Sequence, residues 1–65
     1  MNKKDLLAVL EDCIVFTINT PYYKSLELNM SRIRFVNDHI LELTVAHKEF
    51  IYIDIRDIST VRVIK

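Results

Sequence analysis

The chain has 65 residues, with nine Lys and Arg against nine Asp and Glu, one cysteine, one proline and no glycine. That length supports one domain, and a zero net charge supplies no global field to draw it onto nucleic acid or anionic lipid. A single cysteine excludes an internal disulfide, and the apolar runs at 6–10 and 13–16 are too short to span a bilayer.

A domain this small buries only about 60% of its unfolded surface, and small natural domains compensate with a disulfide, a metal or association with copies of themselves. The first is absent, and His39 and His47 bring no second cysteine at ligand spacing. Homo-oligomerisation is left, and a hydrophobic content of 51% provides for both a core and an apolar contact surface. Glu11 and Asp12 interrupt what would be a signal-peptide core, and a lone thiol suits a reducing compartment, so the expected location is cytoplasmic, with no membrane partner.

Asn2 is placed to cap a helix, with Asp5 three residues on and Leu6, Leu7 and Leu10 at helical spacing. This predicts a short helix over 3–11 with its leucines turned inward. From Cys13 the pattern turns to β: Ile14, Val15, Phe16, Thr17 and Ile18 form a strand closed by Asn19, Thr20 and Pro21. Leu26, Leu28 and Met30 then alternate with polar neighbours, but after Ser31 the inward phase moves to Ile33 and Phe35. Either a β-bulge bends one long strand there, or residues 29–32 turn between two short strands. The bulge is favoured because a bent strand lets a small sheet close.

A three-residue loop of Asn37, Asp38 and His39 pairs Phe35 with Leu41, Ile33 with Leu43 and Arg34 with Glu42; a two-residue loop would set Ile33 against Glu42. The same reasoning at His47, Lys48 and Glu49 pairs Val45 with Ile51, Leu43 with Ile53 and Leu41 with Ile55. It also sets Glu42 against Asp54, a like-charge pair for Arg34 to relieve. Residues 56–60 break the alternation before Val61, Val63 and Ile64 resume it, so one tight turn precedes the last strand. The fold class is mainly β: one domain over 1–65, with a short N-terminal helix and five antiparallel strands. Without glycine, positions of positive φ fall to Asn or Asp.

Candidate chemistry is sparse. Cys13 opens an apolar strand, where cysteine acts as a small hydrophobe, and both histidines sit in turns, where solvated surface histidine is usual. No glycine means no phosphate-cradling loop of the usual kinds, and the scattered carboxylates have no cleft for acid–base work. The chain therefore reads as non-enzymatic, without cofactor or metal. Tyr22, Tyr23 and Lys24 follow Pro21 in one loop, which is the chemistry of a base-stacking platform; the blander alternative packs one tyrosine over the end of the sheet. Arg56, Arg62 and Lys65, like Lys3 and Lys4, are local positive clusters that read as solvated faces, and a ring would repeat them around its axis.

Residues 33–36, then Asn37 and Asp38, then 40–45 resemble the strand, polar loop and apolar strand of the bacterial Sm-like RNA chaperones, the Hfq family. Residues 50–63, with Ile58-Ser59-Thr60-Val61, resemble that family's final strand, turn and strand, an ending shared with other SH3-like barrels. With the helix and first strand in order, the resemblance spans nearly the whole chain. It implies a strongly bent five-stranded small barrel, assembled into a ring by pairing strand four of one copy with strand five of the next. It also implies contact with single-stranded RNA through Asn37, Asp38 and Arg56, the last standing where the family has a pore-side histidine, with Tyr22 and Tyr23 as further contacts. Ile55 and Asp54 occupy the family's neighbouring lysine and tyrosine positions, and its strand glycines are absent. The alternative expectation is therefore a protein-interaction adaptor, or a ring holding a small nucleotide, on the same architecture.

Overall fold

The computed structural model describes all 65 residues. Asn2 caps helix α1 (Lys3–Leu10), its side-chain oxygen accepting from the Asp5 N–H at 2.8 Å, an interaction worth about 1 kcal/mol in typical helices. Leu6 and Leu10, one turn apart, are fully buried, whereas Leu7 faces outward. Lys3 lies 4.9 Å from the centre of the Phe35 ring and ties the start of the helix to the strands. The helix is too short to cross a membrane, and no other helix is longer.

Six strands follow, not five: β1 (Val15–Asn19), β2 (Leu26–Leu28), β3 (Ile33–Phe35), β4 (Ile40–Ala46), β5 (Glu49–Asp54) and β6 (Thr60–Ile64). The expected bulge near Ser31 is the other alternative, a 3-10 turn over Met30–Arg32 that separates β2 from β3. Asn29 decides this, because its side chain accepts from the Ser31 N–H at 3.0 Å and so favours a turn over a continuous ladder. The expected closed barrel is likewise corrected. The strands form two antiparallel sheets, β2-β1-β6 and β3-β4-β5, and no ladder joins one to the other.

Alternation explains how these sheets make one core. Phe16, Ile18 and Leu28 face inward from the first sheet, and Leu41, Leu43 and Ile53 from the second. Ile55, in a second 3-10 turn (Ile55–Asp57), and the two helix leucines complete the cluster. Cys13 packs against it as a partly buried side chain.

The β3–β4 hairpin has the expected register, Ile33 opposite Leu43, Arg34 opposite Glu42 and Phe35 opposite Leu41. The β4–β5 register differs from expectation by two residues: Leu41 faces Ile53, Leu43 faces Ile51, and Glu42 faces Tyr52 instead of Asp54. An irregularity between Thr44 and Ala46 absorbs one residue, and Lys48, with φ of 58°, tightens the turn. A shift of two keeps every side chain on its original face, so the core stripe survives. Of the three non-glycine residues with positive φ, Asp12 matches the expected residue types; Ser25 and Lys48 do not. The Ser25 N–H donates to the Asn19 side chain at 2.8 Å, which helps offset the roughly 1–2 kcal/mol that a left-handed conformation costs an L-residue.

Candidate binding cleft

Thr20, just beyond β1, is the one buried polar residue of the chain. Its hydroxyl accepts from the Tyr22 N–H at 3.2 Å and the Tyr23 N–H at 2.9 Å, and its own N–H donates to the Tyr23 carbonyl at 2.8 Å. Pro21, with a fixed φ, sits inside this turn. The turn presents Tyr22 and Tyr23 toward the end of β5. There they line a cleft of about 150 Å³ with Thr20, Tyr52, Ile53, Asp54 and Asp57.

Two ion-paired networks fix the β5 side chains. Tyr52 donates its hydroxyl proton to Glu42 at 2.8 Å, and the Arg34 guanidinium forks onto the same carboxylate at 3.2 and 3.1 Å. Three strands are thus linked on the outer face of the second sheet. The hydrogen bonds from Arg34 and then Tyr52 hold the Glu42 carboxyl below its ordinary range, while Glu42 pushes the Tyr52 hydroxyl up.

Asp54 is engaged separately. It caps the Ile55–Asp57 turn by accepting from the Arg56 N–H at 2.9 Å, and the Arg56 guanidinium grips its carboxylate with Nη2 at 2.6 Å and Nε at 2.9 Å. The Arg56 side chain, followed by its backbone N–H, lowers the Asp54 carboxyl to about 2. A carboxylate depressed in the folded state contributes stability that is complete above its ordinary value of 3.8 and lost as pH falls toward 2. We expect a carboxyl titration followed by NMR to place Asp54 near 2 in the native protein. In Arg56→Ala it should move upward toward 3.8, with a weaker acid dependence of melting temperature; an unmoved midpoint would contradict this role for Arg56.

The residues expected to contact RNA are dispersed among different tasks. Asn37 builds its turn, its side-chain oxygen accepting from the His39 and Ile40 N–H groups at 2.8 and 2.9 Å. Asp38 is exposed and stands 3.9 Å from Lys3. A backbone bond from Ile55 N–H to the His39 carbonyl brings that turn beside the Ile55–Asp57 turn, but Asn37 and Asp38 do not line the cleft. Arg56 is held by Asp54, whereas Tyr22 and Tyr23 are on the cleft itself. Sequence reasoning missed Thr20, Tyr52 and Asp57 as their companions. The Thr-Pro-Tyr-Tyr turn was a usable local signal; the meeting with β5, about 30 positions along the chain, was not.

Fold and cleft together define a small two-sheet β domain with a helix-plugged core and an aromatic, acid-lined recess at one end of an outer strand. The chain matches no family model, no curated protein and no solved structure.

Proposed function

We propose that this chain is a non-enzymatic, Sm-like binding module that works as an assembly of identical copies, β5 of one copy pairing with β6 of the next. The observation that carries the reading is where the long open edges lie. Each sheet has two outer strands. The β2 and β3 edges are three residues long and joined by a 3-10 turn, but β5 and β6 present six and five residues with unpaired outer sides. Phe50 and Tyr52 on β5, and Ile64 on β6 with Ile14 beside it, leave large apolar side chains exposed. An uncovered edge of this kind is a template for another strand, and natural proteins either blunt it or pair it. Only nine hydrophobic residues form the buried core, so stability also gains from association.

The strand order supports the Sm-like reading: β2 and β3 together take the place of the bent second strand, and a single 3-10 turn links the last two strands. For the bound partner, the arrangement favours protein over single-stranded RNA. Arg56 is already neutralised by Asp54, Asn37 is spent on its turn, and the recess beside Tyr22 and Tyr23 carries carboxylates, which repel phosphate.

Native mass spectrometry at micromolar concentration should give a multiple of the 7.7 kDa chain mass. A compact monomer would overturn the assembly. In gel-shift assays with short A-rich and U-rich oligonucleotides, no retardation is expected even at low salt; retardation that fades as salt rises would establish RNA as the partner instead.

A further inference from the structure

The recess between the Thr20–Tyr23 turn and the end of β5 has a composition that selects one kind of guest. Three of its seven lining residues are tyrosines, two are aspartates, and no lysine, arginine or histidine lines it. Arg56 offsets the charge of Asp54, with which it forms a close pair, so Asp54, Arg56 and Asp57 together carry a net charge of −1. Asp57 makes no ion pair and no side-chain hydrogen bond, leaving its carboxylate oxygens free to accept. Tyr22 is 79% exposed and Tyr52 57%, so aromatic surface is open to solvent at the site. Their placement is built in, since Thr20 fixes the turn that carries Tyr22 and Tyr23, and Glu42 holds the Tyr52 hydroxyl.

Aromatic faces beside an unpaired carboxylate attract cations, and the cation that uses both is a guanidinium. It is planar and weakly hydrated, it stacks on aromatic faces, and it donates a fork of N–H bonds to a carboxylate. A volume of about 150 Å³ is that of a known engineered cavity that admits benzene, and a guanidinium is smaller than that ring. We propose that this cleft binds the side chain of an arginine presented by a partner peptide, Tyr22, Tyr23 and Tyr52 flanking the guanidinium and Asp57 accepting its N–H groups. The inference rests on the cleft of the single chain and requires that the proposed pairing of β5 with a neighbouring β6 leave Tyr52 open to the partner.

The test is an amide-resolved NMR titration of the full chain with the tripeptide acetyl-Gly-Arg-Gly-amide, with acetyl-Gly-Glu-Gly-amide at equal ionic strength as the control. The arginine peptide should give saturable shifts centred on Thr20, Tyr22, Tyr23, Tyr52, Asp54 and Asp57, with a millimolar Kd. Tyr22→Ala and Asp57→Asn, both at exposed residues outside the core, should each weaken binding at least threefold without altering the rest of the spectrum. Shifts that do not saturate, that the glutamate peptide reproduces, or that survive both substitutions unchanged would overturn the proposal. Binding that appears only in Arg62→Ala would also overturn it, by showing that a neighbouring copy already supplies the arginine. Native mass measured on the same samples separates this outcome from a failure of the assembly.

Discussion

Phe16→Ala should be the most destabilising single truncation in the chain, at about 3–5 kcal/mol. Phe16 is the largest of the fully buried side chains and sits on β1, the central strand of its sheet, between Leu28 on β2 and Val63 on β6. Truncating a buried phenylalanine to alanine costs about 3–5 kcal/mol, as lost burial plus the cavity left behind. A chain of this length has a total stability of about 3–10 kcal/mol at the usual value per residue, so this one change removes about a third of it at the upper end of that range and all of it at the lower end. The core cannot easily collapse around the gap, because all its other members except Ile18, on the same strand, come from other strands, the second 3-10 turn and the helix. Urea melts followed by far-UV circular dichroism, at matched protein concentration, provide the measurement. Met30→Ala is the control: Met30 is 41% exposed in the turn between β2 and β3, away from both long edges, and its loss should change stability by less than about 0.5 kcal/mol. A Phe16→Ala protein that melts cooperatively within a few degrees of the parent would show that the core lies elsewhere.

The local grammar of the chain was readable, and its long-range geometry was readable only in part. Asn2 announced the helix because a capping side chain acts on an N–H three residues away, within the same few positions of sequence. The β3–β4 register could be worked out because one loop length satisfies both faces, aligning the apolar pairs and the Arg34–Glu42 pair together. The β4–β5 register could not, since a shift of two residues leaves the hydrophobic pattern intact and only the turn distinguishes the alternatives. Lys48 in a left-handed conformation is what sets that turn, and no composition rule selects a lysine for it.

That shift also decides the electrostatics. With Tyr52 opposite Glu42, the expected like-charge pair disappears, and Asp54 is released to cap the next turn and hold Arg56. The residue favoured as an RNA contact is thereby committed to its near neighbour. The cleft was legible as two tyrosines and no further, because its remaining walls, apart from Thr20 in the same turn, come from β5 and the 3-10 turn after it, brought alongside by the tertiary fold. Closure of the sheet was overestimated for a similar reason: periodicity reports which face of a strand is buried and carries no information on whether its edge is covered.

An edge left uncovered can be tested directly. Replacing Phe50 and Ile64 together by glutamate should convert the assembly to a monomer of about 7.7 kDa by native mass. Both side chains are exposed in the single chain, at 49% and 61%, so their replacement should change the stability of the isolated fold by only about 0.5 kcal/mol each. In an interface made by β5 and β6 the same changes bury carboxylates among apolar neighbours and set like charges near one another, which is strongly unfavourable. The effect on mass should therefore far exceed the effect on folding, a combination that a purely structural role for the two residues would not produce. Melting temperature supplies a second readout, since self-association makes it rise with protein concentration. The native chain should show that rise, and the double variant should not. Met30→Glu is the control, because Met30 is similarly exposed but lies in the turn between β2 and β3, away from both long edges. If Met30→Glu dissociates the assembly while the double variant leaves it intact, the copies meet through the short edges, and the pairing of β5 with β6 is wrong.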